Sequence, residues 1–124
     1  MKKVLLVDDD VTMFYLIKIL LRLEYTVDCF NNAESAVKSA KENEYSLMLV
    51  DINLGSGLSG IDVLREIRRL NNCRNTPVIA ITAFAMTGDR EEFLNMGFTE
   101  YISKPFNKTQ LLNTIERTTS VRVL

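Results

Sequence analysis

Ser46-Leu47-Met48-Leu49-Val50-Asp51 is a short apolar run that ends in a single carboxylate. Apolar residues in sequence, without polar alternation, are what a strand buried on both faces requires. The residues that follow, Ile52-Asn53-Leu54-Gly55-Ser56-Gly57, are loose and glycine-rich. A buried strand that delivers an Asp to its carboxyl end places a reactive group at the rim of a sheet. Four other stretches of the chain have the same construction, or are placed to serve it.

Upstream, Lys3 to Val7 reads as a first buried strand, and it too ends in carboxylates, Asp8, Asp9 and Asp10. Met13, Phe14, Leu16, Ile17, Leu20, Leu21 and Leu23 then recur at helical spacing, which predicts a helix over Val11 to Leu23. Tyr25 to Phe30 is β-prone. Asn31-Asn32 reads as a helix cap, followed by a small apolar stripe, Ala33, Ala36, Val37 and Ala40, in a helix to about Asn43. Downstream of Asp51, a loop through Ser59 leads to a helix from Gly60 to about Leu70, with Ile61, Leu64, Ile67 and Leu70 on one face. Pro77 to Thr82 is a fourth strand, with proline at its first position, where it is tolerated. A helix from about Thr87 to Met96 is closed by Gly97, and Thr99 to Ser103 forms a fifth strand. Lys104-Pro105-Phe106 breaks that strand, and a last helix, Asn107 to about Thr118, buries Leu111, Leu112 and Ile115.

Five strands alternating with five helices give an α/β fold, a doubly wound parallel sheet of the flavodoxin-like type. The common order for five such strands is 2-1-3-4-5, with right-handed crossovers. Winding then reverses between strands 1 and 3, and a crevice opens at their carboxyl ends. That topology gathers Asp8, Asp9 and Asp51 at one rim. Thr82, at the end of strand 4, and Lys104, at the end of strand 5, reach the same rim.

Composition limits what this rim can serve. The 124 residues fit one domain spanning 1–124, with 47% hydrophobic and 25% charged residues and a net charge of -1. No basic block exists for direct nucleic-acid binding, and no apolar run approaches the roughly 18 residues of a membrane span. The amino terminus lacks signal-peptide character, because Asp8-Asp9-Asp10 stops the apolar run early. The expectation is a cytoplasmic protein. Met1 directly before the first strand points to a natural start. Residue 124 fits either a stand-alone unit or one with an output domain beyond it. Cys29 and Cys73 form no CxxC pair, and the expectation is a core thiol at 29 and an incidental loop thiol at 73. There is no histidine, so His-based catalysis and phosphohistidine chemistry must come from a partner.

Three carboxylates held together repel one another, and one of them tends to take up a proton. A divalent cation relieves the repulsion, and an all-oxygen set suits Mg2+. Asp9 and Asp51 are the natural direct ligands, Asp8 acts through water, and the backbone carbonyl at Asn53 adds an oxygen. Asp51 is then a carboxylate nucleophile toward a phosphoryl group. The Lys104 ammonium takes one phosphoryl oxygen, and the Thr82 hydroxyl with the Ala83 amide takes another. No residue of the rim is a strong general base for a separate substrate, which favours a protein that is itself phosphorylated.

Val7-Asp8-Asp9, Asp51, Thr82-Ala83 and Lys104-Pro105, in this order and spacing, resemble the receiver domain of two-component response regulators, the chemotaxis-regulator-like fold. The resemblance covers essentially the whole chain. It implies a signalling switch phosphorylated on Asp51 with Mg2+, with a histidine kinase or histidine phosphotransfer protein as donor. A downstream protein or fused output domain would read the result. It further implies Tyr101 as a switch aromatic. Thr82 is drawn toward the phosphoryl group, Tyr101 turns into the vacated space, and the face formed by helix 4, strand 5 and helix 5 changes shape. A phosphorylation-linked homodimer through that face is left open. Asn53 and Phe84 are the positions that tune the lifetime of the phosphorylated state, and Phe84 stands where it would obstruct the attacking water. The loop after Asp51 departs from the family pattern. It reads Leu54-Gly55 where the family commonly has Met-Pro, and it is one residue longer before Gly60.

Blander readings exist for each piece. Acidic residues before a helix complement its dipole, and Asp10 keeps that role as an exposed or helix-start charge. Gly55-Ser56-Gly57 lacks the Gly-Lys-Ser/Thr of a phosphate loop and implies flexibility alone. A haloacid-dehalogenase-type phosphatase needs a second Asp two residues after the nucleophile, where this chain has Asn53. A flavin module would not place three aspartates against a phosphate. A silent scaffold would have no use for the complete set.

Overall fold

Alternation of buried strands with one-sided helices yields the architecture in the computed structural model, which describes residues 1–55, 58–83 and 88–119. The strands are β1 (Lys2–Val7), β2 (Tyr25–Phe30), β3 (Leu47–Asp51), β4 (Val78–Thr82) and β5 (Glu100–Ser103). The helices are α1 (Val11–Leu21), α2 (Ala33–Glu42), α3 (Gly60–Arg69), α4 (Asp89–Met96) and α5 (Lys108–Thr119), with one 3-10 turn at Asn71–Cys73. All strand pairs are parallel, in the order β2-β1-β3-β4-β5. The flavodoxin-like topology expected from the sequence is the one observed.

Each strand feeds two cores, because successive side chains point to opposite faces. Leu5, Val7, Met48, Val50 and Ala80 pack under α2, α3 and α4. Val4, Leu6, Leu47, Leu49, Ile79 and Ile81 pack under α1 and α5 with Ile17, Leu21, Leu111 and Ile115. β3 and β4 are buried at every position. Fully burying one such aliphatic side chain stabilises the fold by roughly 1.5–3 kcal/mol. The alanines of α2 let that helix lie close against the sheet.

Helix ends follow local chemistry. The Asn32 side chain accepts from the Ser35 amide at 2.8 Å, as expected for a cap. Ser59 and Asp62 form a reciprocal capping box at the start of α3. Asn107 and Gln110 exchange backbone-to-side-chain bonds of 2.9 and 2.8 Å at the start of α5. Gly97, at φ 114°, closes α4.

Three expectations are corrected. α1 stops at Leu21, two residues short, and Leu23 is 79% exposed. Its buried arc is Ile17 and Leu21, and Leu16 also faces solvent, because α1 is apolar around most of its circumference while a sheet covers one side of it. In α5, Leu112 is partly buried, and Thr114 and Thr118 are buried beside Leu111 and Ile115. Their hydroxyls donate to the carbonyls of Gln110 and Thr114 one turn back, which satisfies them in the core. The cysteines exchange roles. Cys73 is buried in the 3-10 turn, its thiol directed at the Ala40 carbonyl, whereas Cys29 is half-buried near the end of an edge strand. The expected start of the fourth helix at Thr87 lies outside the described residues.

Candidate functional site

The register brings the carboxyl ends of β1, β3, β4 and β5 to one rim. Val7 pairs with Val50, Asp51 with Ile81, and Thr82 with Ser103. A cleft of about 300 Å3 opens there, lined by Asp9, Asp10, Asp51, Ile52, Asn53, Thr82, Ala83 and Lys104. Of the described residues singled out for this rim, Asp9, Asp51, Asn53, Thr82, Ala83 and Lys104 line it, and Asp8 is fully buried.

The three consecutive aspartates have three different fates. Asp8 Oδ1 accepts from the Asp10 amide at 2.9 Å, and its Oδ2 accepts from Lys104 Nζ at 3.2 Å. Asp10 caps α1, accepting from the amide and hydroxyl of Thr12 at 2.9 and 2.6 Å, the helix-start role expected of it. Asp9, between them, is exposed. One carboxylate oxygen each from Asp8, Asp9 and Asp51 lies within 4.8 Å of the others. Such an all-carboxylate set fits a small hard divalent cation and is a poor match for soft metals.

Asp51 is held from two sides. The Asn53 amide donates to its Oδ1 at 3.0 Å, and Lys104 Nζ donates to its Oδ2 at 3.1 Å. Lys104 reaches across because its own amide is fixed to the Thr82 carbonyl at 2.7 Å. The peptide between Lys104 and Pro105 is cis. Burial pushes the Asp8 carboxyl up to about 6, and the charge of Asp51 adds to this, while the Asp10 amide and Lys104 oppose it. Burial works to lower the Lys104 ammonium pKa, but its hydrogen bond to Asp51 and both carboxylate charges prevail and raise it. Repulsion among the carboxylates therefore falls on Asp8, and the lysine stays a firm cation.

The loop after Asp51 carries constraints that motif reading missed. The Gly60 amide donates to the Ile52 carbonyl at 3.0 Å. A Cβ at Gly60 would lie 2.2 Å from the Asp51 carbonyl oxygen and 2.8 Å from Ile52 Cα. The first residue of α3 therefore rests directly on the backbone of Asp51. The helix-start pattern placed Gly60 at that position but not against the Asp51 peptide. Gly55, at φ 76°, would bring a Cβ within 3.4 Å of Asp9 Oδ2, and its amide donates to Asn53 Oδ1 at 3.1 Å. The Asn53 side chain is thereby turned into its own loop.

Tyr101 lies apart from the cleft. It is half-buried on β5, its ring centroid 5.7 Å from that of Phe93 on α4. It lines a neighbouring groove of about 370 Å3 between α4 and α5, with Arg90, Glu100, Gln110 and Arg117. Phe84 lies outside the described residues, as do Ser56 and Gly57 of the glycine-rich loop.

Two buried acids on β1 and β3, a threonine on β4 and a lysine after β5, all converging on one cleft, define a class. A sequence model of the response regulator receiver domain matches residues 4–116, and the chain belongs to that family. It is a receiver domain of two-component, phosphorylation-dependent signalling. Among its relatives is the transcriptional regulatory protein CpxR homolog of Haemophilus influenzae, 38% identical over 117 residues, which are 94% of this chain and 49% of that protein. Another is the signal transduction histidine-protein kinase BarA of Shigella flexneri, 36% identical over 115 residues, 92% of this chain and 12% of that protein. The chain thus spans about half of the first relative and a small part of the second. A similar solved structure is the receiver domain of the sensor histidine kinase PA1611 from Pseudomonas aeruginosa, with a magnesium ion coordinated in its active-site cleft. It is 36% identical with a TM-score of 0.85, over 97% of this chain and 98% of that one. Among the described residues, no helix is long and apolar enough to cross a membrane.

Proposed function

We propose that Asp51 accepts a phosphoryl group from a phosphohistidine on a partner histidine kinase or phosphotransfer protein. An Asp51 carboxylate oxygen bonds to phosphorus as the P–N bond to the imidazole breaks. The electron pair stays on the imidazole nitrogen, which is protonated from solvent, so the cleft needs no general base of its own. The Lys104 ammonium, already 3.1 Å from Asp51, bonds a phosphoryl oxygen. The Thr82 hydroxyl and the Ala83 amide, both on the wall of the cleft, bond another. Asp8, Asp9, Asp51 and the Asn53 carbonyl would hold Mg2+, which neutralises carboxylate and phosphoryl charge when bound. Lys104 Nζ on both Asp8 and Asp51, beside the exposed Asp9, is the observation that carries this reading.

In this reading the chain turns over no separate substrate. Its product is a changed surface. Thr82 moves with the phosphoryl group, Tyr101 repacks against α4, and the α4–β5–α5 face presents a different shape to a downstream protein, a fused output domain or a second copy. Domain limits of 1–124 and a cytoplasmic location are part of the same reading.

The test is intact mass after incubation with acetyl phosphate and Mg2+. One added phosphoryl group is expected. It should be absent from Asp51→Asn and from a sample with chelator. An adduct that survives Asp51→Asn would remove Asp51 as the acceptor. Replacing Phe84 with Glu is expected to speed loss of the adduct, measured by mass at timed intervals, and an unchanged or slower decay would end the obstruction role assigned to Phe84.

A further inference from the structure

If Asp51 is the acceptor, its phosphorylation must be felt at the groove between α4 and α5. The route is short. Thr82 and Ala83 line the cleft at the end of β4, and β4 pairs with β5 at Ala80–Tyr101 and Thr82–Ser103, next to Glu100. Helix α4 is lightly held. It has eight residues, buries Phe93 alone among them, and starts at Gly88, φ 91°, with no side-chain cap.

Two arginines grip its two ends unequally. At the carboxyl end, Arg68 of α3 donates from Nε and Nη2 to the Gly97 carbonyl at 3.2 and 3.0 Å. Its Nη1 donates to the carbonyls of Cys73 and Thr76 at 3.0 and 2.7 Å. One half-buried guanidinium thus joins the end of α4 to the turn that precedes β4. At the amino end, Arg90 makes a two-pronged pair with Glu100 at the start of β5, both bonds 3.2 Å. The Arg90 side chain is 58% exposed and that of Glu100 10%. Glu100 Oε1 also accepts from the Tyr101 amide at 3.1 Å, so this carboxylate ties the first turn of α4 to the backbone of the expected switch tyrosine.

We propose that Arg90–Glu100 is a latch, and Arg68–Gly97 the pivot, for movement of α4. The latch holds α4 over β5 in the unphosphorylated protein, and phosphorylation of Asp51 has to open it. This rests on the phosphoacceptor reading above. The asymmetry follows from the chemistry. Arg68 spreads its donors over four carbonyls on two segments, whereas Arg90, itself 58% exposed, rests on a single carboxylate partner that one substitution removes.

Removing the latch should shift the pre-existing equilibrium toward the phosphorylated-like conformation and so favour phosphorylation. Arg90→Ala and Glu100→Gln are each expected to phosphorylate about 3- to 10-fold faster with acetyl phosphate and Mg2+, followed by intact mass. Arg90 is exposed enough for its variant to fold, and Glu100→Gln keeps a hydrogen-bonding group on Tyr101. Hydrogen exchange gives an independent readout. Phosphorylated wild type should lose protection in the first turn of α4 while Gly97-Phe98 stays protected, and unphosphorylated Arg90→Ala should show the same pattern. Folded variants that phosphorylate at the wild-type rate, or equal loss at both ends of α4, would overturn the latch alone. A wild-type chain that takes up no phosphoryl group would overturn the phosphoacceptor reading and the latch together.

Discussion

Gly60 shows how one hydrogen atom in place of a methyl group lets α3 rest on the backbone of Asp51. With a Cβ at 2.2 Å from the Asp51 carbonyl oxygen, Gly60→Ala must displace either the start of α3 or the peptide that carries Asp51. Both are built into the core, so the expected loss is about 2–3 kcal/mol of stability, read from chemical denaturation. Uptake of phosphoryl from acetyl phosphate should slow in the same variant. Gly88 offers a contrast, since no atom of the described residues lies within 4 Å of a Cβ there. Its φ of 91° alone resists a side chain, and Gly88→Ala should cost only about 1 kcal/mol. If the two substitutions proved equally costly, the close approach at Gly60 would not be what holds the acceptor peptide.

At the scale of elements, α1 has more apolar surface than the sheet can cover. Val11, Tyr15, Ile19 and Leu23 remain 51, 67, 57 and 79% exposed. Asp10, which caps α1, lines the cleft, so a partner protein delivering a phosphoryl group to Asp51, as proposed above, would pass beside the cleft-side end of this helix. The basic residues Lys18, in its last turn, and Arg22, at its carboxyl cap, belong to the same surface. An α-helical donor with apolar and acidic residues around its histidine would complement it. Ile19→Glu is therefore expected to slow transfer from a protein donor at least about tenfold, the effect of a core interface residue. Phosphorylation by acetyl phosphate should be unchanged. Equal rates with the protein donor for wild type and variant would remove α1 from the docking surface.

At the scale of the whole molecule, the cleft stores electrostatic cost that a bound cation, as proposed above, would relieve. The Asp8 carboxyl titrates near 6 in the folded chain against 3.8 for a free Asp. Between these pH values the native state binds more protons than the unfolded state, so stability contributed at low pH is lost as pH rises through about 6. A shift of this size corresponds to about 3 kcal/mol. In chelator, the stability of wild type relative to Asp8→Asn should therefore fall by about 2 kcal/mol between pH 4 and pH 7, since the unfolded carboxyl is already partly ionised at pH 4, in thermal or urea unfolding. Saturating Mg2+ should recover most of the loss, because ligand that binds the native state alone stabilises it. A wild-type minus Asp8→Asn difference that is flat with pH in chelator would mean that the Asp8 carboxyl is not held under strain by its neighbours.

The strands, the two-layered α/β plan and the strand order were legible in the chain itself, because buried parallel strands must be apolar at every position and the helices between them must be apolar on one stripe. The candidate set at the rim was legible from strand ends and topology. Asp8 and Asp9 follow β1, Asp51 and Thr82 end β3 and β4, and Lys104 follows β5, so topology brings these strand ends together. Contacts that depend on which atoms meet through space were not legible. Leu16 and Leu23 carry the same periodicity as Ile17 and Leu21, and only the position of the sheet beneath α1 decides which pair is buried. Cys29 lies in a strand and Cys73 in a turn, yet the turn folds onto α2 and the strand stands at the edge, which reverses their expected burial. Gly60 against Asp51, and the arginines at the two ends of α4, join residues distant in sequence through backbone atoms that every residue has. Side-chain type and spacing specified the layers and the reactive groups. The distances at which backbone meets backbone, and hence how those groups are braced, were decided by the packing of the folded chain.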